Sequence, residues 1–485
     1  IVLLLGGAFA SAVVLELKDD ISIFDKNSSG IPGLDTSVLD GVKSTGPQTI
    51  LVLGSDHRFA DGKNGRAHSD TMLLVRIDPG KAATTVMSVP RDLKINLPGH
   101  GTVKLNASYF YGGPKLTVKT LKKLLGTQAH PFEINHVVNV NFGGFQKLLN
   151  RLGCVYVDVD RHYFNDNNPP AGGGSDYATI NVKAGYQKLC GNSGLDYVRY
   201  RHFDDDLVRA SRQQDFLRQA KGQFSLSSLL GDRKELVKIF ARYTRTDVRS
   251  NDAILRLLKL AFLSSKNPIR EVKFPATDVA GGTFVQISDA DLQKVVDEFQ
   301  NAKQSGGARQ TGDTSKAAKK ARKKQRRKVS PGLPPGIVPA KQEGETQGVQ
   351  VAAKIRLPVY YPAVRLASGG YSSGEPTFPA ARAYSIRDRA KNRYDAYRLV
   401  LFTGVAGQYY GIQGTSWKAP PILDSPSDTM RMRGRTYELF YDGTRLRLVA
   451  WRTPRGVYWV SNTLSKTLTN RQMLAIARSL TRVGT

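Results

Sequence analysis

The sequence has few cysteines and histidines: its 485 residues include two of the former and seven of the latter. No Cys/His cluster has the spacing of zinc ligands, which argues against a zinc site. No Ser-His-Asp or Cys-His arrangement stands out, and no internal repeat is present. In an exported protein an even pair of cysteines, here Cys154 and Cys190, predicts a disulfide; the alternative is two buried thiols.

Acidic residues are also scarce, with 41 Asp and Glu against 71 Lys and Arg, and the formal net charge is +30. Nine of the thirteen residues in the run KAAKKARKKQRRK, Lys316–Lys328, are basic. Such a charge attracts polyanions: nucleic acid, anionic lipid or an anionic cell-wall polymer. Charge alone does not distinguish between them.

The first charged residue is Glu16, after the apolar run IVLLLGGAFASAVVL. We predict a transmembrane anchor over residues 1–17, with a few preceding residues completing the span because the sequence opens at Ile1 rather than at methionine. A cleaved signal peptide and a buried core helix are the alternatives. We expect the body of the protein to lie outside the cytoplasm.

Strand-like and helical segments alternate after a polar linker at 18–47. TILVLGSD and TMLLVRID are typical of buried strands, and LTVKTLKKLLG and GGFQKLLNRLG have helical spacing with a terminal glycine. This alternation predicts an α/β domain over 48–301, with a layered sheet and helices on its faces.

Composition changes after residue 301. Residues 302–350 are basic and contain proline and glycine, which predicts a disordered linker. Residues 351–485 then predict a smaller α+β domain, with a hairpin turning at Asp442-Gly443 and an amphipathic helix over Thr469–Leu480.

Arginines and aspartates are concentrated between Tyr197 and Gln219. In YVRYR, Arg199 and Arg201 are two residues apart, so a strand would present both on one face. Asp206 predicts the start of a helix on which Arg209 and Arg212 share a face. Four converging guanidinium groups suit phosphate oxygens. A solvated ion-pair network is the alternative, whereas a nucleic-acid helix is disfavoured because the aspartates repel phosphates.

Two further aspartates lie at predicted strand ends. Asp56 ends one strand and Asp70 starts another, and a carboxylate pair at one sheet edge suits Mg²⁺ together with substrate phosphates. Arg91 ends a third strand, and Lys104 and Asn106 add hydrogen-bond donors. Together with the arginine cluster, this set predicts a phosphoryl-transfer site.

The ordered motifs GSDHR, HSDTMLLVRID, SVPRDL, GTVKLNASYFYGG, YVRYRH and DDDLVRASRQQ span roughly residues 48–300. This set resembles the LytR–CpsA–Psr family of cell-envelope proteins. The resemblance implies a single-pass, membrane-anchored phosphotransferase outside the cytoplasm, which moves a glycan phosphate from a polyprenyl-pyrophosphate carrier to a peptidoglycan acceptor. It also implies a central mixed sheet flanked by helices on both faces, with a hydrophobic pocket for the prenyl tail.

By the same resemblance, Asp56 and Asp70 bind Mg²⁺ or Mn²⁺ and, with Arg91, Arg199 and Arg201, form the catalytic set. The implied pyrophosphate-binding residues are Arg58, His68, Arg91, Lys104, Asn106, Arg199, Arg201, Asp206, Arg209, Arg212 and Gln213. Of these, Arg209, Arg212 and Gln213 either line or brace the site. One departure stands out: His68 takes a position where the family usually has arginine, and neutral histidine is a weaker phosphate ligand.

Some alternatives remain open at this point. The same pocket would also serve a non-catalytic protein that binds prenyl phosphates or wall polyanions. Nucleic-acid binding is not expected. Aromatic residues after position 351 suit either sugar binding or a hydrophobic core, and the strand spacing favours the core; they are Tyr360, Tyr361, Tyr409, Tyr410, Trp417, Trp451 and Trp459. A Cys154–Cys190 bridge is predicted to brace the arginine-bearing segment.

Overall fold

A computed structural model describes most of the chain. The described residues are 31, 34, 37–41, 46–55, 69–80, 83–166, 178–200, 206–224, 233–248, 269–279, 284–301, 309–310, 332–432 and 434–484. The predicted anchor at 1–17 and the basic run at 316–328 lie outside them. Within these ranges, no helix is both long and apolar enough to cross a membrane.

The described residues form two compact units. Unit 1 is drawn from Ile1–Leu152 and Phe224–Gln310, and unit 2 from Gly153–Gln223 and Thr311–Thr485. This grouping differs from the predicted boundaries, because residues 153–223 join the C-terminal part of the chain. The predicted boundaries themselves stay a prediction. Strands are numbered β1–β27 and helices α1–α8 along the chain.

Unit 1 contains a sheet, two small β-ladders and four described helices. Its strands are β1 Gln48–Ser55, β2 Ser69–Asp78, β3 Ala83–Val89, β4 Lys94–Leu97, β5 Gly101–Lys104, β6 His136–Asn141, β11 Thr244–Thr246, β12 Ile269–Val272, β13 Thr277–Asp278, β14 Val285–Gln286 and β15 Arg309–Gln310. Its helices are α1 Ala107–Leu125, α2 Phe142–Arg151, α5 Arg233–Tyr243 and α6 Asp289–Gln300.

The sheet of unit 1 has seven strands in the order β11-β6-β1-β2-β3-β12-β15. The pairs β1–β6 and β3–β12 are parallel, and the other neighbours are antiparallel. The sheet is therefore mixed, and the predicted fold, a central mixed sheet flanked by helices, is confirmed.

Side-chain alternation along the strands gives each face of this sheet its own apolar layer. On one face, Leu51 and Leu74 pack with Val118 of α1 and Phe299 of α6. On the other, Ile50 and Val75 belong to a separate cluster. Helices α2 and α5 pack against each other beside β6 and β11.

Part of the predicted linker at 18–47 packs onto unit 1, which corrects that prediction. Ile31 and Val38 are buried in the core beside α1. Asp40 receives a hydrogen bond from the Ile134 backbone N–H at 2.7 Å and pairs with Lys122 at 2.8 Å. The polar composition concealed these anchoring contacts, which are made with residues distant in sequence.

Unit 2 combines strands and helices from both of its chain segments. Its strands are β7 Val155–Val159, β8 Tyr163–Asn165, β9 Ile180–Val182, β10 Gly185–Leu189, β16 Ile337–Pro339, β17 Tyr360–Pro362, β18 Val364–Leu366, β19 Gly370–Tyr371, β20 Ala381–Arg387, β21 Arg393–Phe402, β22 Tyr409–Thr415, β23 Asp428–Met432, β24 Arg435–Asp442, β25 Arg445–Thr453, β26 Gly456–Ser461 and β27 Leu480–Arg482. Its helices are α3 Gly191–Arg199, α4 Asp206–Gln223, α7 Lys341–Ala352 and α8 Asn470–Arg478.

An eight-stranded antiparallel sheet in the order β19-β21-β22-β26-β25-β24-β23, with β20 beside β21, dominates unit 2. With α7 and α8 it shows that the C-terminal region is β-rich with flanking helices, whereas a separate domain over 351–485 stays a prediction. The predicted hairpin is β24–β25; Asp442 pairs with Arg445, so its loop residues are Gly443 and Thr444. The aromatic residues behave mainly as predicted: Tyr361, Tyr410, Trp451 and Trp459 are buried.

The predicted disordered linker at 302–350 is wrong at its C-terminal end. Strand β16 pairs with β18, and α7 begins at Lys341. Gly344 and Gly348 let α7 approach the chain closely: a Cβ on Gly344 would lie 2.8 Å from Tyr361 Cδ2. Val351, at the end of α7, is buried in the core. The small and polar residues of α7 have the composition of a linker, and this is why the sequence predicted one here.

Candidate functional site

Backbone register brings several strand ends to one edge of the unit 1 sheet. Ser55, the last residue of β1, pairs with Ser69 on β2 and with Asn141 on β6. Val89, the last residue of β3, pairs with Met72 near the start of β2. The chain positions that follow these residues carry the predicted catalytic groups Asp56, Asp70 and Arg91.

Not all of these groups fall within the described part of the chain. Asp56, Arg58 and His68 lie outside it, as does the side chain of Asp70. Ser69, which precedes Asp70, is buried, and its hydroxyl donates to the Gly54 carbonyl at 3.3 Å. This hydrogen bond therefore links β1 and β2 close to the chain positions of the predicted ligands Asp56 and Asp70.

Arg91 lies in a polar cluster just beyond β3. Its Nε is 3.4 Å from Asp92 Oδ2, and Lys104 Nζ is 2.9 Å from Asp92 Oδ1. The Arg91 carbonyl accepts from the backbone N–H of Asn106 at 3.0 Å. The structure thus brings together Arg91, Lys104 and Asn106, as predicted.

Asp92 holds this cluster and was missed from the sequence. It follows Arg91 in SVPRDL, and its carboxylate lies between the two cations. Two partly exposed cations around one carboxylate leave net positive charge, which suits an anionic ligand. The sequence signal that could have identified Asp92 is its position directly after Arg91 in SVPRDL.

The predicted strand at YVRYR is wrong. Residues 191–199 form helix α3, with Cys190 as its N-cap and a hydrogen-bonded capping box to Ser193. Buried Leu195 and Tyr197 fix its inner face, so the segment follows helical rather than strand periodicity. Arg199 therefore ends a helix, whereas Arg201 lies outside the described residues.

Arg199 pairs with a carboxylate on its own helix. Its Nη2 and Nε donate to Asp196 Oδ1 at 2.7 and 3.2 Å. Burial raises the pKa of the Asp196 carboxyl, and the hydrogen bond and charge of Arg199 oppose that shift. The charge of Arg199 is thus paired within α3, as the alternative of an ion-pair network predicted.

Helix α4, which begins at Asp206, holds the end of α3. Arg212 is fully buried, and its Nη2 donates to the Tyr200 carbonyl. Gln213 Nε2 donates to the Val198 carbonyl at 3.1 Å. Arg209, one turn before Arg212, is also buried. These contacts are of the bracing kind, and direct pyrophosphate binding by these residues stays a prediction.

Aromatic rings enclose the Arg212 guanidinium. Its central carbon lies 4.8, 5.6 and 5.8 Å from the ring centroids of Tyr163, Tyr200 and Tyr197. Such cation–π contacts compensate for part of the desolvation of a buried arginine. The aromatic partners were not anticipated from the sequence, because they come from several elements.

The predicted disulfide is confirmed: the structure joins Cys154 to Cys190. Cys154 precedes β7, and Cys190 caps α3. The bridge therefore attaches the start of the helix that ends at Arg199 to the strand β7.

A metal site of the predicted kind would draw on Asp56 and Asp70. In the sequence, Asp56 and Asp70 follow Ser55 and Ser69, which pair across β1 and β2. Carboxylate oxygens suit Mg²⁺, which usually takes one or two of them and completes its shell with water and substrate. Among the described residues, no group of three His, Cys, Asp or Glu side chains forms a protein-only cage. Binding of Mg²⁺ by Asp56 and Asp70 stays a prediction.

Comparison with known proteins gives a match over more than half of the chain. The model of the LytR_cpsA_psr family matches residues 16–302. The polyisoprenyl-teichoic acid–peptidoglycan teichoic acid transferase TagT of Bacillus subtilis is 28% identical over 258 residues, which cover 52% of this chain and 76% of TagT. The corresponding transferase TagU of Oceanobacillus iheyensis is 29% identical over 260 residues, 52% of this chain and 74% of TagU.

A solved structure is also similar. The family protein YwtF (TagT) with bound octaprenyl pyrophosphate lipid is 23% identical, with a TM-score of 0.38, over 54% of this chain and 92% of that one.

Proposed function

Because the chain belongs to the LytR–CpsA–Psr family, we propose that it transfers a glycan phosphate from a polyprenyl-pyrophosphate carrier to peptidoglycan. The observation that carries the proposal is the strand-end edge of unit 1, where the Arg91–Asp92–Lys104 cluster follows β3 and the positions of Asp56 and Asp70 adjoin paired residues. The relatives named as teichoic acid–peptidoglycan transferases support the same reaction. The product would be a wall-attached anionic polymer or polysaccharide.

In the proposed reaction, an acceptor hydroxyl attacks the phosphorus atom that carries the glycan. A new O–P bond forms, the bond from that phosphorus to the bridging oxygen breaks, and prenyl monophosphate leaves. The hydroxyl proton passes to the carboxylate of Asp56 or Asp70. Phosphoryl transfer depends on positioning and charge neutralisation, so no covalent protein intermediate is needed.

Arg91 and Lys104 would bind pyrophosphate oxygens, and Asp92 would keep both cations in place before substrate arrives. Arg199 and Arg201 stay predicted pyrophosphate ligands on the ground of the family motifs. Mg²⁺ bound by Asp56 and Asp70 would neutralise charge on the phosphate oxygens. We further propose that residues 1–17 anchor the protein in the cell membrane, with its body facing the wall.

The test is release of prenyl monophosphate by the 485-residue chain in detergent, given a polyprenyl-pyrophosphate glycan, a peptidoglycan oligosaccharide and Mg²⁺. We expect release to require acceptor and to fall about 100-fold or more in Asp70→Asn and Arg91→Ala, because each loses a group that stabilises transition-state charge. Lys119→Ala, an exposed change on α1, is the matched control.

Two outcomes would contradict the proposal. Release that is unchanged in Asp70→Asn and Arg91→Ala would place the chemistry elsewhere. Lipid binding without any release would favour the alternative, a non-catalytic protein that binds prenyl phosphates.

A further inference from the structure

A tight turn in the C-terminal part of unit 2 packs against Arg161. The turn is built on Ser373, whose hydroxyl donates to the carbonyls of Glu375 and Phe378 at 2.5 and 2.8 Å. Gly374 has φ +88°, and a Cβ there would lie 2.8 Å from Arg161 Cδ. The turn therefore needs glycine both for its backbone conformation and for the close approach.

This turn presents Glu375 to Tyr200. The Tyr200 hydroxyl donates to Glu375 Oε1 at 3.3 Å, and Arg161 Nη1 lies 3.9 Å from the same oxygen. The Glu375 side chain is 11% exposed and that of Arg161 is 1% exposed. A buried carboxylate is stable only when paired, and Arg161 and the Tyr200 phenol are two of its partners.

Several contacts fix Tyr200. Its hydroxyl contacts Glu375, its carbonyl accepts from Arg212, and its ring centroid lies 5.1 Å from the Arg161 guanidinium carbon. It is completely buried. In the sequence it separates Arg199 from Arg201, the two predicted pyrophosphate ligands of this segment.

We propose that Glu375 is a positioning residue for Arg199. By fixing Tyr200, the residue that follows the end of α3, it sets where Arg199 is held for an incoming pyrophosphate. The C-terminal part of the chain, which lies outside the family match, thereby contributes to substrate binding without contacting the substrate. This inference rests on the proposed function.

The test is binding of farnesyl pyrophosphate to the 485-residue chain, measured calorimetrically. We expect Tyr200→Phe and Glu375→Leu each to raise Kd about tenfold, the size of a lost charge-assisted hydrogen bond. Glu375→Gln, which keeps an acceptor oxygen for the Tyr200 hydroxyl, should restore most of the affinity. The double variant Tyr200→Phe/Glu375→Leu should bind about as tightly as Glu375→Leu, because Glu375→Leu already removes the contact that Tyr200→Phe removes.

In turnover assays, the same variants should raise KM for the lipid donor and leave kcat within about twofold, since no reacting group is changed. The matched control is Glu343→Gln, which breaks an ion pair with Arg365 at 2.8 Å in the same C-terminal part. It should leave Kd unchanged. Tyr200→Phe is the mildest change and keeps the test valid if Glu375→Leu fails to fold.

An unchanged Kd for farnesyl pyrophosphate in Tyr200→Phe and Glu375→Leu would overturn the positioning role. An equal rise in Kd in the control Glu343→Gln would also overturn it. If the wild-type chain binds farnesyl pyrophosphate but releases no prenyl phosphate, the proposed function fails and the Kd comparison still decides the inference. A wild-type chain that does not bind the probe would overturn both.

Discussion

Arg398 on β21 forms a buried ion pair with Asp158 on β7: Nη1 lies 3.1 Å from Oδ1, with side-chain exposures of 0% and 5%. The second Asp158 oxygen accepts from Trp459 Nε1 at 3.1 Å. Asp158 lies within the residues that match the family, and both partners lie beyond them. The packing of unit 2 thus depends on polar contacts between two segments distant in sequence.

Replacing Arg398 with Ala should lower the free energy of unfolding of unit 2 by about 3–5 kcal/mol, because the buried Asp158 carboxylate loses its ion-pair partner. Urea unfolding followed by tryptophan fluorescence measures it. The control is Glu343→Ala, which removes a partly exposed ion pair with Arg365 in the same unit and should cost at most about 1 kcal/mol. Equal losses in the two variants would contradict this view of the pair.

Reduction of the Cys154–Cys190 bridge should also destabilise unit 2. The two cysteines are 36 residues apart, and closing a loop of that length is worth about 3–4 kcal/mol in the chain-entropy model. We expect the thermal midpoint to fall in dithiothreitol. The variant Cys154→Ser/Cys190→Ser should start at the lower midpoint and should not respond to the reductant. A wild-type midpoint that ignores reductant would show that the bridge contributes nothing.

The sheet of unit 1 could be predicted because its strands are continuous apolar runs that end at polar motifs. TMLLVRID lies within β2, and the glycine stop after LTVKTLKKLL coincides with Gly126 at the end of α1. For the same reason the grouping of Arg91, Lys104 and Asn106 could be expected from strand ends. Periodicity and turn residues are local signals, and these features are local.

The remaining features depend on tertiary contacts. Alternating letters in YVRYR are compatible with a strand, yet burial of Leu195 and Tyr197 and the capping box at Cys190 give a helix. Nothing in the local pattern pairs Asp158 with Arg398, which are 240 residues apart. Glu375 was missed for the same reason, since its partner Tyr200 is 175 residues away.

Stability should depend on pH through His162. Burial, together with nearby cationic side chains, lowers the pKa of this histidine from 6.5, although a hydrogen bond from its Nε2 to Asn181 opposes the shift. Because the unfolded chain keeps the ordinary pKa, it binds more protons than the folded chain just below pH 6.5. The free energy of unfolding should therefore fall as pH drops through this range, by at most about 1.4 kcal/mol per pH unit.

Urea unfolding between pH 7.5 and 5 measures this slope, and His162→Gln is the comparison because it cannot take up the proton. The difference in slope between the two proteins isolates His162 from the other titrating groups. Parallel slopes would contradict the assignment. At pH 7.5, His162 is neutral in both the folded and the unfolded chain. Its protonation therefore contributes nothing to the stability difference between wild type and His162→Gln at that pH.

Alanine substitution at two helical glycines should change the free energy of unfolding in opposite directions. At Gly144 on α2, a Cβ would lie 2.5 Å from Tyr243 Cβ, an atom close to the α5 backbone that cannot simply rotate away. Gly144→Ala should therefore force the helices apart and cost about 1–3 kcal/mol. At Gly222 near the end of α4, a Cβ meets nothing within 4 Å, and Gly222→Ala should gain up to about 1 kcal/mol from helix propensity. Thermal midpoints of the two variants check the pair. A loss at Gly222 as large as that at Gly144 would contradict close helix packing as the reason for glycine at Gly144.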